Sequence, residues 1–274
     1  FPRRIAGVGK RRPYISTESL RLSASASEPE GRAWTLVSFV RAQLARGERA
    51  FVFVPFFISA QGAIGSALRR DLERLRRDSG RFEFRFTDGL AARDALVGIA
   101  AARIRETIAA RSLHRPAVIV VDHGGPSPAS AALRNRLAAD IRAALGTAIG
   151  PLAAASMEGA EHAHNHPLLA DQLAAPGFDS GDVVIAPLFL SPGRHAGPDG
   201  DLTQIARPAC PELAERAGAE PVDGTAGRTT AAQRCHFTGL IGTHPRAVDA
   251  LAAALTKTLS TFAMRPPAPI EILA

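Results

Sequence analysis

Four β-branched residues, Val118, Ile119, Val120 and Val121, run directly into Asp122, His123, Gly124 and Gly125. An unbroken apolar run of this kind reads as a strand covered on both faces, the situation of a parallel sheet rather than of a half-solvated one. A second run repeats the arrangement. "DVVIAPLFLSPG" is a strand, and the glycine-bearing turn behind it, "SPGRHAGPDGDL", holds His195. Two strands that each stop at a glycine-rich, histidine-bearing turn constrain the fold more than any other feature of the chain.

The rest of the pattern agrees. "TLVSFVRAQLARG" has apolar residues at helical spacing, "RAFVFVPFFIS" is a strand, "SALRRDLERLRRDSG" an amphipathic helix, "RFEFRFTDG" a strand and "ARDALVGIAAARIRETIAARS" a helix. From residue 114 onward come the strand "PAVIVVDHGG", the helix "SAALRNRLAADIRAALG" and the short strand "PLAAASMEG". The helix "PLLADQLAAPG", the His195-bearing segment with the helix start "DLTQIARPAC", the strand "CHFTGLIG" and the helix "HPRAVDALAAALTKTL" complete it. Strands alternating with helices predict an α/β fold with parallel sheets and helices on both faces.

The chain also repeats itself. "VPFFISAQGAIGSALRRDL" aligns with "APLFLSPGRHAGPDGDL", matching Pro55 to Pro187. "ASEPEGRAWTLVSFVRAQL" aligns with "ASMEGAEHAHNHPLLADQL", and "FTDGLAARDALVGIAAA" with "FTGLIGTHPRAVDALAAA". An internal duplication follows, with a degenerate first half over 34–112 and a second half over 114–274. The first half carries Gln61, Gly62 and Ala63 in the turn, with Ala63 where the second has His195; the position matching His123 falls ahead of Phe1. Residues 1–33 are expected to be an amino-terminal extension or a remnant of the first repeat. Their arginine- and serine-rich, acid-poor composition fits a flexible end, or alternatively an organelle transit peptide. A first half without its opening strand exposes a sheet edge, which allows for a homodimer.

Composition narrows the function classes. The net charge is +7, which draws polyanions, but aromatic residues are 5% of the chain and do not interleave with basic ones, so nucleic acid is not the expected partner. No run of eighteen apolar residues occurs, so no spanning helix is expected. Cys210 and Cys235 are too few for a disulfide framework. They either pair or stay reduced, and a cytoplasmic setting fits them.

In parallel α/β sheets ligands bind at the carboxyl ends of strands. His123 and His195 sit at two such ends, and two converging imidazoles suit Co²⁺, Fe²⁺, Ni²⁺ or Zn²⁺. The alternating His162, His164 and His166 are read as an ordinary polar loop, with metal loading as the alternative. His244 is expected to cap the last helix, His114 and His236 have no evident partner, and Arg134 and Arg136 read as helix-surface residues, with pairing to ligand carboxylates as the alternative.

"VVDHGGPSPASAALRNRLA", "ASMEGAEHAHNHPLLADQL" and "PLFLSPGRHAGPDGDL" together resemble the class II chelatases, the sirohydrochlorin cobaltochelatase and ferrochelatase family. The resemblance covers residues 114–258 in order and, more weakly, 34–112. It departs from the family at "DHGG", where a His-Gly-Ser is commoner, and in the lost histidines of the first half. The resemblance implies a lyase that inserts Co²⁺ or Fe²⁺ into sirohydrochlorin or a related tetrapyrrole without ATP, in cobalamin or siroheme biosynthesis. It implies that His123 and His195 hold the incoming metal and that Glu158 takes a pyrrole proton or completes the metal site. Arg194 would pair with substrate carboxylates, and Gly124, Gly125 and Gly193 would let the macrocycle approach the backbone. No cofactor beyond the metal substrate is implied. The alternative is a chelatase-like protein that binds metal or tetrapyrrole without turnover.

Overall fold

The computed structural model describes residues 36–58, 63–80, 82–91, 93–210 and 232–263. The expectations for residues 1–33 and for Gln61 and Gly62 lie outside the described residues, as does the side chain of Ala63. The chain divides into two compact units. One holds the described residues up to Arg49 together with Arg70–Phe82; the other holds Ala50–Arg69 and the described residues from Glu83 onward.

In the smaller unit, helix α1 (Leu36–Ala45) buries Leu36, Val40 and Gln43, a stripe at helical spacing. Helix α2 (Ala63–Ser79) runs on into this unit, where Leu72 and Leu75 are buried. Glu73 and Arg76 pair on its surface.

The larger unit contains all the strands among the described residues. Strands β1 (Ala50–Phe53) and β2 (Glu83–Phe86) form a parallel pair. Helix α3 (Arg93–Arg111) follows. A four-stranded parallel sheet is built from β3 (Ala117–Asp122), β4 (Leu152–Ser156), β5 (Asp182–Pro187) and β6 (Arg234–Phe237), in the spatial order β4-β3-β5-β6. Its helices are α4 (Pro128–Leu145), α5 (Leu169–Leu173), α6 (Asp201–Ala206) and α7 (Pro245–Ala263).

The burial of β3 explains its uninterrupted apolar sequence. Val118 and Val120 point into one core with Leu96 and Ile104 of α3, Leu137 and Ile141 of α4, and Ala247 of α7. Ala117, Ile119 and Val121 point into a second core on the opposite face, with Leu169 and Leu173 of α5 and Leu202 and Ala206 of α6. Each successive side chain meets a helix layer, so no position of the strand tolerates a polar residue until Asp122.

The duplication is visible in the strand register. Ala50 pairs with Glu83 as Asp182 pairs with Arg234, and Phe53 pairs with Phe86 as Ile185 pairs with Phe237. The repeat-matched residues thus occupy matching rungs. Where β1 is followed by α2, β2 and α3, β5 is followed by α6, β6 and α7.

Two expectations change, for Arg134 and His236, and one alternative left open for the cysteines is decided. Arg134 is not a helix-surface residue: it is 2% exposed, because it lies on the same stripe of α4 as Leu137, Ala138 and Ile141. His236 does have a partner, Asp182, at 2.9 Å across β5 and β6. Cys210 and Cys235 are joined, with Cα atoms 5.8 Å apart. Arg136 is exposed on α4, and His244 caps α7 by accepting the backbone N–H of Arg246 at Nδ1, 3.1 Å away. Pro245 opens the same helix, in the first turn, where its missing N–H costs nothing.

Candidate functional site

The strand order reverses at β3. The chain leaves β3 for β4 on one side, then crosses to β5 on the other, so the loops behind β3 and β5 part from each other at the carboxyl edge of the sheet. Such a switch point is where open α/β sheets form a crevice. His123 follows β3 and His195 follows β5, and their rings meet there. The Nε2 atoms are 3.3 Å apart, with ring centroids at 4.6 Å and planes nearly perpendicular.

Backbone geometry brings His123 to this place. Gly124 has φ of +84°, and a Cβ there would collide with the carbonyl oxygen of Glu158. The close approach lets two loops stitch together: Met157 N–H donates to the Asp122 carbonyl at 2.8 Å, and Glu158 N–H to the His123 carbonyl at 3.1 Å. Glu158 therefore arrives beside His123, with Oε1 at 3.3 Å from Nδ1. The Gly124 carbonyl is 3.2 Å from the same nitrogen.

His195 is held by a tighter loop. Ala196 N–H donates to the Pro192 carbonyl at 2.8 Å, Gly200 N–H to Gly197 at 2.9 Å, and Leu202 N–H to the His195 carbonyl at 3.0 Å. A Cβ at Gly200 would stand 2.5 Å from the His195 carbonyl oxygen, so the loop closes only with glycine there. This closure lays Asp201 against the imidazole, with Oδ2 2.6 Å from His195 Nδ1. Arg194 Nε is 3.9 Å from the same oxygen, and its side chain is 83% exposed. Gly193 turns with φ of +48° just before it.

The two loops rest on a buried polar frame. Arg134 Nη1 faces Asp122 Oδ1 at 3.3 Å and hydrogen-bonds Ser156 Oγ closely, while Nη2 donates to the His164 carbonyl at 3.2 Å. Ser156 Oγ in turn donates to Asp122 at 2.7 Å. Asn165, 1% exposed, donates through Nδ2 to the carbonyls of Gly125 at 3.1 Å and Gly159 at 2.9 Å. In "HAHNHP" the asparagine is thus the residue that ties the site loops together. His164 Nε2 faces the Gly125 carbonyl and His166 Nε2 the Ala160 carbonyl, each at 2.9 Å. Both rings use a nitrogen on the backbone.

Among the residues singled out from the sequence, His123, His195 and Glu158 come together, and Arg194 stands at the rim. Two others, Asp201 and Phe189, were missed, and a third, Arg134, was assigned to the helix surface. Asp201 had a signal, a carboxylate shortly after the His195 turn. Arg134 had one too, a charge within an apolar stripe. Phe189 had none beyond its apolar run: its ring centroid lies 6.4 Å from those of both His123 and His195. Among the described residues no group of three or more His, Cys, Asp or Glu side chains converges as a metal cluster. The site offers two imidazoles with Glu158 beside one and Asp201 beside the other. A cavity of about 580 Å³ adjoins the His195 loop, lined by Pro187, Ala196, Leu202, Phe237 and Leu240 among others, but neither imidazole lines it.

Structural comparison finds SirB from Bacillus subtilis with Fe³⁺ at a TM-score of 0.59, with 12% sequence identity over 87% of this chain and 81% of that one. The fold is similar to that of SirB. Two further structures align less well. The sirohydrochlorin chelatase SirB from Bacillus subtilis subspecies spizizenii in complex with cobalt has a TM-score of 0.49 at 12% identity, over 86% of this chain and 79% of that one. CbiX, the terminal enzyme for biosynthesis of siroheme in denitrifying bacteria, also has a TM-score of 0.49, at 18% identity over 78% of each chain. No family model and no curated protein sequence matches the chain. At 12% identity the likeness to SirB shows the fold alone, and the chemistry rests on the residues themselves. Among the described residues no helix is long and apolar enough to cross a membrane.

Proposed function

We propose that this protein is a metal chelatase that inserts Co²⁺ or Fe²⁺ into sirohydrochlorin or a related tetrapyrrole, without ATP, in cobalamin or siroheme biosynthesis. The observation that carries the reading is the pair of Nε2 atoms 3.3 Å apart at the switch point of a chelatase fold. Two metal–nitrogen bonds of about 2.0–2.1 Å at a tetrahedral angle span about 3.3–3.4 Å, so the spacing of the two nitrogens suits a single ion.

The metal is substrate here. Two imidazoles leave its remaining coordination positions to water and to the incoming pyrrole nitrogens, and they are few enough to let it go. Insertion exchanges the bound M²⁺ for two pyrrole N–H protons, giving the metallated macrocycle and two H⁺. Glu158, half-exposed beside His123, accepts a pyrrole proton and passes it to solvent. Arg194 reaches outward to the macrocycle's carboxylates. Gly125 and Gly193 keep side chains out of its path, Gly124 lets the Glu158 loop close against the His123 loop, and Phe189 gives the macrocycle's apolar face a wall.

The test is anaerobic absorbance of sirohydrochlorin with Co²⁺ and then Fe²⁺, with and without protein. A protein-dependent spectral shift that His123→Ala and His195→Ala abolish supports the chelatase. Tetrapyrrole bound without acceleration makes the protein a carrier, and absence of binding removes the reading.

A further inference from the structure

The two imidazoles are not equivalent. His123 Nδ1 has two loose neighbours, the Gly124 carbonyl at 3.2 Å and the half-exposed Glu158 at 3.3 Å. His195 has one close neighbour, Asp201, at 2.6 Å, and is the less exposed of the two rings, at 26% against 44%. Asp201 is itself held by the backbone closure of the loop through Gly200 and Leu202. We infer that Asp201 is a positioning residue that fixes the tautomer and direction of His195, and so makes it the anchored ligand for the incoming metal.

The argument is one of donors and acceptors. An ionised carboxylate only accepts, so the ring nitrogen against it carries the hydrogen. With Nδ1 protonated, the neutral ring has its lone pair at Nε2, the atom that faces His123. A carboxylate behind a metal-binding histidine raises the basicity of the free nitrogen and holds the ring plane. An asparagine in its place can turn an N–H toward Nδ1, which moves the ring hydrogen to Nε2 and blocks the lone pair, the fault a carboxylate-to-amide change produces in other histidine sites.

This inference rests on the reading of His123 and His195 as metal ligands, and two measurements separate the two. The first is ¹⁵N NMR of metal-free protein labelled at histidine. His195 should appear as the Nδ1–H tautomer in the wild type and as Nε2–H in Asp201→Asn. A carboxylate that only stabilised the first turn of α6 would leave the tautomer unmoved. The second is Co²⁺ titration followed by visible absorption. Asp201→Asn should weaken Co²⁺ binding about ten- to hundredfold. Asp201→Glu should retain most of it, and Asp199→Asn, a loop acid paired instead with Arg207, should match the wild type. Wild-type Co²⁺ affinity in Asp201→Asn, alongside lost binding in His195→Ala, overturns the role of Asp201 alone. Wild-type affinity in both His123→Ala and His195→Ala overturns the metal-ligand reading and the inference with it.

Discussion

Arg134 Nη1 faces Asp122 Oδ1 at 3.3 Å beneath the candidate site, with the arginine side chain 1% exposed and the aspartate 17%. The pair links the middle of the helix behind β3 to the last residue of that strand, one position before His123. Its other contacts, to Ser156 and to the carbonyls of His164 and Asn165, make the guanidinium the hub of the frame that carries two site loops. Removing one partner of a buried pair leaves the other uncompensated. Arg134→Ala is expected to destabilise the protein by about 3–5 kcal/mol, measured by urea denaturation. Arg134→Lys should recover little, since an ammonium lacks the fork that reaches several acceptors at once.

Gly124→Ala should do more harm than Gly125→Ala. Both glycines have positive φ, +84° and +146°, but only at Gly124 would the new methyl meet backbone, the carbonyl of Glu158. The expected outcome is a loss of Co²⁺ binding in Gly124→Ala that exceeds that of Gly125→Ala at least tenfold, which corresponds to about 1.4 kcal/mol. Titration of both variants side by side checks it.

Asn165→Ala should lower stability by about 1–3 kcal/mol, because the carbonyls of Gly125 and Gly159 lose a buried donor. Its signature is a lower thermal midpoint together with weaker metal binding. His162→Ala, whose ring lies 3.4 Å from the exposed Glu161, should change neither by a comparable amount.

Asp182 supplies a pH dependence away from the site. The hydrogen bonds from Arg234 hold its carboxyl below the ordinary aspartate value, against the opposing effect of burial and with help from His236. A depressed folded value means that the stabilisation is fully present above the unfolded value, about 3.9, and is lost as pH falls through the folded one. Asp182→Asn should therefore be less stable than the wild type at neutral pH, by about 1 kcal/mol. The gap should close below about pH 4, as followed by denaturation at a series of pH values.

Much of the architecture was legible in residue order because it depends on local physics. Val118–Val121 could only be a strand covered twice, the glycines after it could only be a turn, and the matched segments around Pro55 and Pro187 announced the repeat. The stripe of α4 even held the clue to Arg134, whose spacing from Leu137, Ala138 and Ile141 puts it on the buried face. Partnerships across strands were a different matter. That His236 meets Asp182 depends on the register of β5 against β6, and that His123 meets His195 depends on β5 lying beside β3 rather than beside β4. The residue types at the site were therefore determined by the sequence itself. Their distances were decided by the sheet order and by backbone closures such as that of Gly200 on His195, because a ring nitrogen finds its partner only after the strands that carry both have packed.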